Sequence, residues 1–503
     1  MSSTLIAAPI LLPVLAGIAT LLFRRRRRAI GAGISIASCA GLLAIAALLL
    51  ARTHGAAPEA YALGDWPAPF GIVLVLDHLS ALMLVLTALL GLAVAVHAML
   101  TGLDRKGWHF HALFQFQLLG VNGAFLTGDL FNLFVFFEVL LIASYGLMLH
   151  GQGAKRLTAG VQYVIINLVG SSVFLVALGL LYGITGTLNM ADMAVRAEAL
   201  PAGDKGILQA GAFLLILVFG LKAALLPVHL WLPRTYANTA PAVAAMFAIM
   251  TKVGAYAIIR TATLIFGDAA GAFLLPAALA TMVLGYAGML AARQLRDMAA
   301  FGLLGSTATL LAAIALLEET AMTAALYYLL HTTLAAALLF LLVDLVVRWR
   351  AVEGADIVPT PAYKGKVMLG VMFFVAAIGF AGLPPLSGFI GKLLILAAAQ
   401  AAPLAPWIWG VVLVTSLMGI VALARAGSSL FWKSDASPAI PENRAAPDYA
   451  EAAPVIALLA LLALLAAAAG PVTAYAQATA GQLFERQAYI TAVLGTPEGS
   501  TAP

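Results

Sequence analysis

Fourteen stretches of about twenty predominantly apolar residues follow one another along this chain, at 3–23, 29–50, 71–100, 109–127, 130–149, 157–183, 206–228, 241–266, 272–290, 298–317, 321–347, 365–399, 406–431 and 452–475. A helix rises 1.5 Å per residue, so such a stretch matches the roughly 30 Å hydrocarbon core of a bilayer. Only 10% of the 503 residues are charged while 63% are hydrophobic, and the mean hydropathy is +1.03. A soluble domain carries about 25% charged residues, so the outer surface of this chain faces lipid. In lipid the backbone has to satisfy its own hydrogen bonds, which favours helices. The expected fold class is an all-α polytopic membrane protein with about 14 transmembrane helices.

Basic residues fix the orientation. The run Arg24–Arg28 directly follows an apolar span, whereas a secretory signal carries its positive charge first, so the run reads as a cytoplasmic anchor. Loops alternate from there, and the inner ones hold Arg24–Arg28, Arg105, Lys106, Lys155, Arg156, Arg234, Arg293, Arg296, Arg348, Arg350, Lys364, Lys366, Arg425, Lys433 and Arg444. The outer side holds Arg52, Arg196, Lys205, Arg260 and Arg486. This 19-to-5 split supports the count, because one missed span would invert every later loop. Both termini are expected on the outer face of a prokaryotic inner membrane.

Several chemistries are excluded. The single cysteine, Cys39, permits neither an intrachain disulfide nor a cysteine-rich cluster, and the eight histidines show no paired-ligand spacing. No glycine-rich phosphate loop opens a helix. The pI of 9.3 comes from topology arginines and does not imply nucleic acid. No cofactor and no metal is expected.

Three lysines remain inside the spans: Lys222, Lys252 and Lys392. A charge at the bilayer centre costs at least about 2.5–3.5 kcal/mol, so each intramembrane ionisable group is a functional candidate. Glu138, Lys222, Lys252, His331 and Lys392 form the proposed relay, with His229, Asp129 and Asp344 as secondary candidates. Asp77, His78, Asp129 and Asp344 lie nearer span ends, where capping or snorkelling is the plainer reading, and a lone histidine such as His97 reads as a packed side chain. Glu138 lies nine residues past Asp129 and Lys222 eleven past Gly211, which puts both near mid-depth and lets them pair. The protonation of a buried amine depends on the charge beside it, so such a pair works as a proton switch. The rival reading is a static salt bridge holding two helices together.

The seventh and twelfth spans are interrupted. In FGLKAALLPVHLWLP (219–233), Pro227 frees the carbonyl of Ala223, and His229 lies two turns from Lys222 on the same face if the helix continues. In FAGLPPLSGFIGK (380–392), Pro384 and Pro385 free the carbonyls of Phe380 and Ala381 ahead of Lys392. Paired broken segments are the sequence pointer to inverted-repeat transporters. The domain reading is therefore helices 1–3 over 1–108, inverted five-helix repeats over 109–266 (helices 4–8) and 267–432 (helices 9–13), and helix 14 with a tail over 433–503. The polar content is unequal: the second helix of the later unit offers only Ser306, Thr307 and Thr309 where the earlier has Glu138.

GLKAALLPVHLWLP and APAVAAMFAIMTKVGAY within 219–256, FFEVLLIASY around Glu138 and GLPPLSGFIGK around Lys392 resemble the signature shared by Mrp-type cation/proton antiporter subunits and the antiporter-like subunits of respiratory complex I. The likeness covers nearly the whole chain, and its length and Lys392 are most similar to the D-type subunits of the Mrp group. It implies fourteen helices with two inverted units, Glu138 modulating Lys222, Lys252 connecting, His331 at the centre and Lys392 facing the opposite side. HTTLAAALLF places Ala335 where several relatives have a lysine one turn after the histidine, leaving His331 with Thr332 or water to bridge the centre.

The expectation is a secondary transporter subunit and not an enzyme. It would move protons in a hetero-oligomeric Na⁺ or K⁺/H⁺ antiporter, with other subunits, the transported ions and the lipid bilayer as partners and no nucleic acid. The alternatives are a proton-pumping subunit of an NADH:quinone oxidoreductase or membrane-bound hydrogenase, and a non-conducting assembly scaffold.

Overall fold

The computed structural model describes residues 3–22, 28–267, 271–350, 354–433 and 447–495. The anchor arginines 24–27 and Arg444 lie outside the described residues. A 3-10 turn at Ser3–Ala7 leads into α1 (Ala8–Leu22) and α2 (Arg28–Thr53), then a hairpin of β1 (Glu59–Ala62) and β2 (Val73–Leu76). The chain continues through α3 (His78–Leu100), α4 (Phe110–Leu126), α5 (Leu130–Met148), α6 (Ala154–Thr185), the short α7 (Met190–Ala199), α8 (Lys205–Lys222), α9 (Trp231–Asn238) and α10 (Pro241–Thr261). It ends with α11 (Gly271–Ala291), α12 (Leu295–Ile314), α13 (Glu319–Arg350), α14 (Lys366–Ala381), α15 (Ser387–Ala398), α16 (Ala405–Gly427), α17 (Ala453–Ala467), α18 (Ala469–Phe484) and α19 (Arg486–Leu494).

The protein is an all-α polytopic membrane protein, and among the described residues twelve helices are long and apolar enough to cross a bilayer. The expected fourth span, α4, has 17 residues and carries Gln115, Gln117 and Asn122. Gln115 takes up Ser35 and Ser38 of α2, and Asn122 donates to the carbonyl of Pro9 at 2.9 Å. The expected twelfth span is divided between α14 and α15.

Two boundaries differ from the sequence reading. The third span begins at His78 and not at 71, because Val73–Leu76 pair antiparallel with Glu59–Ala62. Asp77 fixes the start: its carboxylate accepts from the Ser80 N–H while the Ser80 hydroxyl accepts from the Asp77 N–H, each at 2.8 Å. The last span ends at Ala467 and not at 475, and α18 and α19 follow as separate helices.

Helices α10, α12 and α13 form the centre, and every residue of α10 is buried. Between lipid-embedded helices association relies on close packing more than on the hydrophobic effect, and small residues permit it. A Cβ on Gly285 of α11 would lie 2.5 Å from the Gly305 nitrogen of α12, and one on Gly254 of α10 2.7 Å from the Phe219 carbonyl of α8.

Residues expected on one face meet one another. Arg348 pairs with Glu451, Arg425 donates to the carbonyl of Ala292, Gln294 to Asp356, and Arg156 to the carbonyl of Asn238. At the other end Arg486 pairs with Glu198, and Tyr475 donates to the carbonyl of His78. Arg260, counted on the outer side, is not in a loop. It lies in the last turn of α10, buried, with its guanidinium 2.6 Å from Asp77.

Candidate functional site

Both interrupted spans break by the same turn. α8 stops at Lys222; Ala224 takes a left-handed φ of 58°, Leu225 N–H donates to Gly220 at 2.7 Å and Ala224 N–H to Leu221 at 3.1 Å. After α14, Gly382 takes a φ of 81°, Leu383 N–H donates to Ile378 at 3.0 Å and Gly382 N–H to Gly379 at 3.2 Å. These are the paired bonds of a Schellman turn, which satisfies the last carbonyls of a helix. Pro227 and Pro385 each stand three residues past the left-handed position, in cis peptide bonds.

The turns correct two expectations. The seventh span leaves the helix before Pro227 is reached, so His229 does not share a helical face with Lys222; it sits buried in the segment between α8 and α9. Counted from the left-handed residue, Lys222 corresponds to Phe380, and Lys392 to Arg234, so the two lysines are not positional counterparts. They share a setting instead. Lys222 is the last residue of α8, and the Lys392 ammonium reaches back to the carbonyl of Ala381, the last residue of α14, at 2.8 Å. Carbonyls left unpaired at a helix carboxy-terminus favour a cation, and broken helices use them so. The expected freeing of the Ala381 carbonyl is realised, with Lys392 as its donor.

All three lysines and His331 are buried, and their partners are neutral. Lys222 Nζ donates to Asn167 Oδ1 at 3.0 Å and lies 5.8 Å from the ring centre of Phe137. Lys252 Nζ donates to Thr307 Oγ1 at 3.1 Å and to Thr251 Oγ1 at 3.3 Å. His331 Nδ1 is 3.0 Å from the Ser387 hydroxyl, and Lys392 Nζ also donates to Ser416 at 2.9 Å. The expected contact between Glu138 and Lys222 is not made. Half-buried Glu138 accepts from Ser171, and among the described residues the ion pairs do not include any of the three lysines. Asn167 and Ser171 are one turn apart on α6, so that helix supplies a neutral residue to each member of the expected pair.

The sequence reading missed Asn167, Ser171, Ser387 and Ser416 as members of this arrangement. The only signal was their polarity within apolar spans, which hydroxyls share with many silent positions. Of the secondary candidates, Asp129 caps α5 by accepting from Asn132 N–H at 2.8 Å, and burial raises its carboxyl above the usual range. Asp344 accepts from Nε2 of fully buried His97 at 3.0 Å, giving that histidine a carboxylate partner.

Residues 127–419 match the family described as NADH:quinone oxidoreductase/Mrp antiporter, TM. The chain belongs to this family. The match contains Glu138, Lys222, Lys252, His331 and Lys392. Across 99% of the chain and 98% of the relative, it is 39% identical to the D subunit of a probable K(+)/H(+) antiporter of Rhizobium meliloti (strain 1021). It is 35% identical to the D subunit of a Na(+)/H(+) antiporter of Bacillus subtilis (strain 168), over 97% of the chain and 98% of that protein. Among family members of known structure, a chain of the Mrp complex from Dietzia sp. DQ12-45-1b superposes with a TM-score of 0.87 at 29% identity, covering 98% of this chain and all of that one.

Proposed function

We propose that the chain is the proton-translocating D-type subunit of a multisubunit monovalent cation/proton antiporter, exchanging Na⁺ or K⁺ for H⁺ across a prokaryotic inner membrane. Glu138, Lys222, Lys252, His331 and Lys392 carry the protons. One observation carries this reading: ammonium and imidazole groups buried at the centre of the bundle are held by neutral hydroxyl, amide and carbonyl groups and not by carboxylates. A structural ion pair is built to stay charged; these groups have partners that accept a proton donor and impose no charge, so gaining or losing a proton breaks no salt bridge. Moving one charge through 100 mV is worth about 2.3 kcal/mol, comparable with changing a protonation equilibrium by between one and two pKa units, so membrane potential drives such a chain.

In this reading fourteen crossings leave both termini on the outer face, and 109–266 and 267–432 are inverted units. The matched Schellman turns support the repeat, as does a π turn ending the last helix of each unit, at Ala262–Phe266 and Ser428–Trp432. The protein is a transporter component whose partners are the other antiporter subunits and lipid.

The test is reconstitution of the complete antiporter with proton flux measured against Na⁺ and against K⁺. Flux elicited by either cation, lost in Lys222→Ala with normal assembly, is the expected result. If neither cation elicits flux, the antiporter reading fails and a redox-driven pump component takes its place; flux retained in an intact Lys222→Ala complex makes the chain a scaffold.

A further inference from the structure

A cavity of about 310 Å³ opens between the loop joining α11 to α12, the segment before α14 and the end of α16. Its walls carry Arg293, Asp356, Arg425 and Ser429, and the topology above puts it at the inner face. Loop and segment are tied together: Ile357 N–H donates to the Arg293 carbonyl at 2.9 Å, and Leu295 N–H to the Ala355 carbonyl at 2.8 Å. Buried Arg350 holds the carbonyls of Asp356 and Val358 at 2.6 and 3.2 Å. Arg425 uses one donor on the Ala292 carbonyl at 2.6 Å, and among the described residues the Arg293 side chain has no hydrogen bond. Neither arginine enters an ion pair among those residues. A guanidinium has five N–H donors, so both keep most of theirs. Membrane orientation asks only for positive charge on the inner side and is met by solvated arginines. These two line one rigid cavity instead.

We propose that this cavity is a headgroup site for an anionic phospholipid, with the phosphodiester between Arg293 and Arg425 and the Ser429 hydroxyl donating to it. Guanidinium forks match phosphate oxygens two at a time, and basic pockets among spanning helices suit anionic headgroups. The acyl chain has a track beside them. Leu413, Leu417 and Val421 are exposed along one i, i+4 ridge of α16, and the same ridge reaches Arg425, with Ser429 one turn on in the π turn. A soluble anion has no use for that ridge. Asp356, whose carboxylate accepts from Gln294 at 2.9 Å, sets the charge the cavity takes. Two guanidinium groups against one carboxylate leave a single positive charge, which a phosphodiester neutralises and a doubly charged free phosphate exceeds.

The test is the melting temperature of the purified, delipidated complete complex, titrated with detergent micelles carrying phosphatidylglycerol, with micelles carrying phosphatidylethanolamine, and with inorganic phosphate. Phosphatidylglycerol is expected to raise the melting temperature saturably, and the other two are not. Arg293→Gln and Arg425→Gln should each weaken the apparent affinity for phosphatidylglycerol about tenfold or more, since each removes a charge-assisted contact. Arg105→Gln, an inner-side arginine away from the cavity, should leave it unchanged. Should Arg425→Gln fail to assemble for want of its bond to Ala292, Arg293→Gln decides alone. Unchanged affinity in Arg293→Gln overturns the site, and an equal loss in Arg105→Gln reduces it to diffuse inner-face charge, which also overturns it. A rise with inorganic phosphate as large as with phosphatidylglycerol makes the ligand a soluble anion and rejects the lipid; an equal rise with phosphatidylethanolamine rejects the anionic headgroup. The readout involves no transport, so the site stands or falls separately from the antiporter reading.

Discussion

Lys222 donates to Asn167 at 3.0 Å, while one turn along the same helix the Ser171 hydroxyl is held by Glu138. The two charged groups are thereby kept near one another without touching. An ion pair in contact would lock the two charges together; groups separated by an amide and a hydroxyl act on each other only through the field.

Removing the amide tests that arrangement. Asn167 is oriented by its own donation to the carbonyl of Tyr163 at 2.9 Å, which leaves Oδ1 for Lys222. Asn167→Leu leaves a buried ammonium without an acceptor, a loss of about 1–3 kcal/mol or more for a charged group. Cation-driven proton flux in everted vesicles is expected to fall by an order of magnitude or more while the protein still assembles. Unchanged flux would show that the Lys222–Asn167 bond is incidental.

The buried pair Arg260–Asp77 is expected to matter for stability and not for transport. Asp77 is 2% exposed and Arg260 4%, with the guanidinium over the rings of Tyr256 and Tyr489 at 5.4 and 5.0 Å. Breaking a buried pair by removing one partner costs about 3–5 kcal/mol. Asp77→Asn retains an oxygen to cap α3 and isolates the loss of charge. The detergent-solubilised complex should melt at a markedly lower temperature, and a normal melting point in Asp77→Asn would refute the assignment.

Glycines at the second break are expected to be intolerant where lipid-facing glycines are not. A Cβ on Gly388 would lie 2.1 Å from the carbonyl of Gly379 and 2.8 Å from His331 Nε2, so α15 has to move away from α13 and α14. A Cβ on Gly179 of α6 meets nothing within 4 Å. Gly388→Ala should abolish antiport, and Gly179→Ala should leave it unchanged or gain up to about 1 kcal/mol of helix stability. Comparable activity in the two variants would contradict the packing.

An acid-side loss of stability is expected from His150, in the loop after α5. Burial holds its imidazole below the ordinary value of 6.5, against the Leu103 carbonyl that meets Nε2 at 2.9 Å. Above pH 6.5 neither the folded nor the unfolded form carries this proton, and the group costs nothing. As pH falls below 6.5 the unfolded chain takes up a proton that the folded chain resists, so stability declines. His150→Gln should flatten the fall in melting temperature between about pH 7 and 5. An identical slope in the variant would assign the fall to other groups.

The sequence by itself determined the class of fold, the presence of ionisable groups within apolar helices and the existence of two broken spans. Each has a one-dimensional signature, because a bilayer demands long apolar runs, a charge within such a run is costly, and glycine with proline interrupts a helix wherever it occurs. The break positions were less legible, since Ala224 takes the left-handed turn ahead of Pro227 with nothing in its side chain to announce it. The short hairpin at 59–76 was likewise invisible beside the helical signal. What only the tertiary structure decided is which neutral groups hold each charge. Asn167 is 55 residues from Lys222, Thr307 is 55 from Lys252 and Ser387 is 56 from His331. A hydroxyl or amide costs a helix little and is found at many silent positions, so it acquires meaning only when packing brings a distant ammonium or imidazole within hydrogen-bond reach.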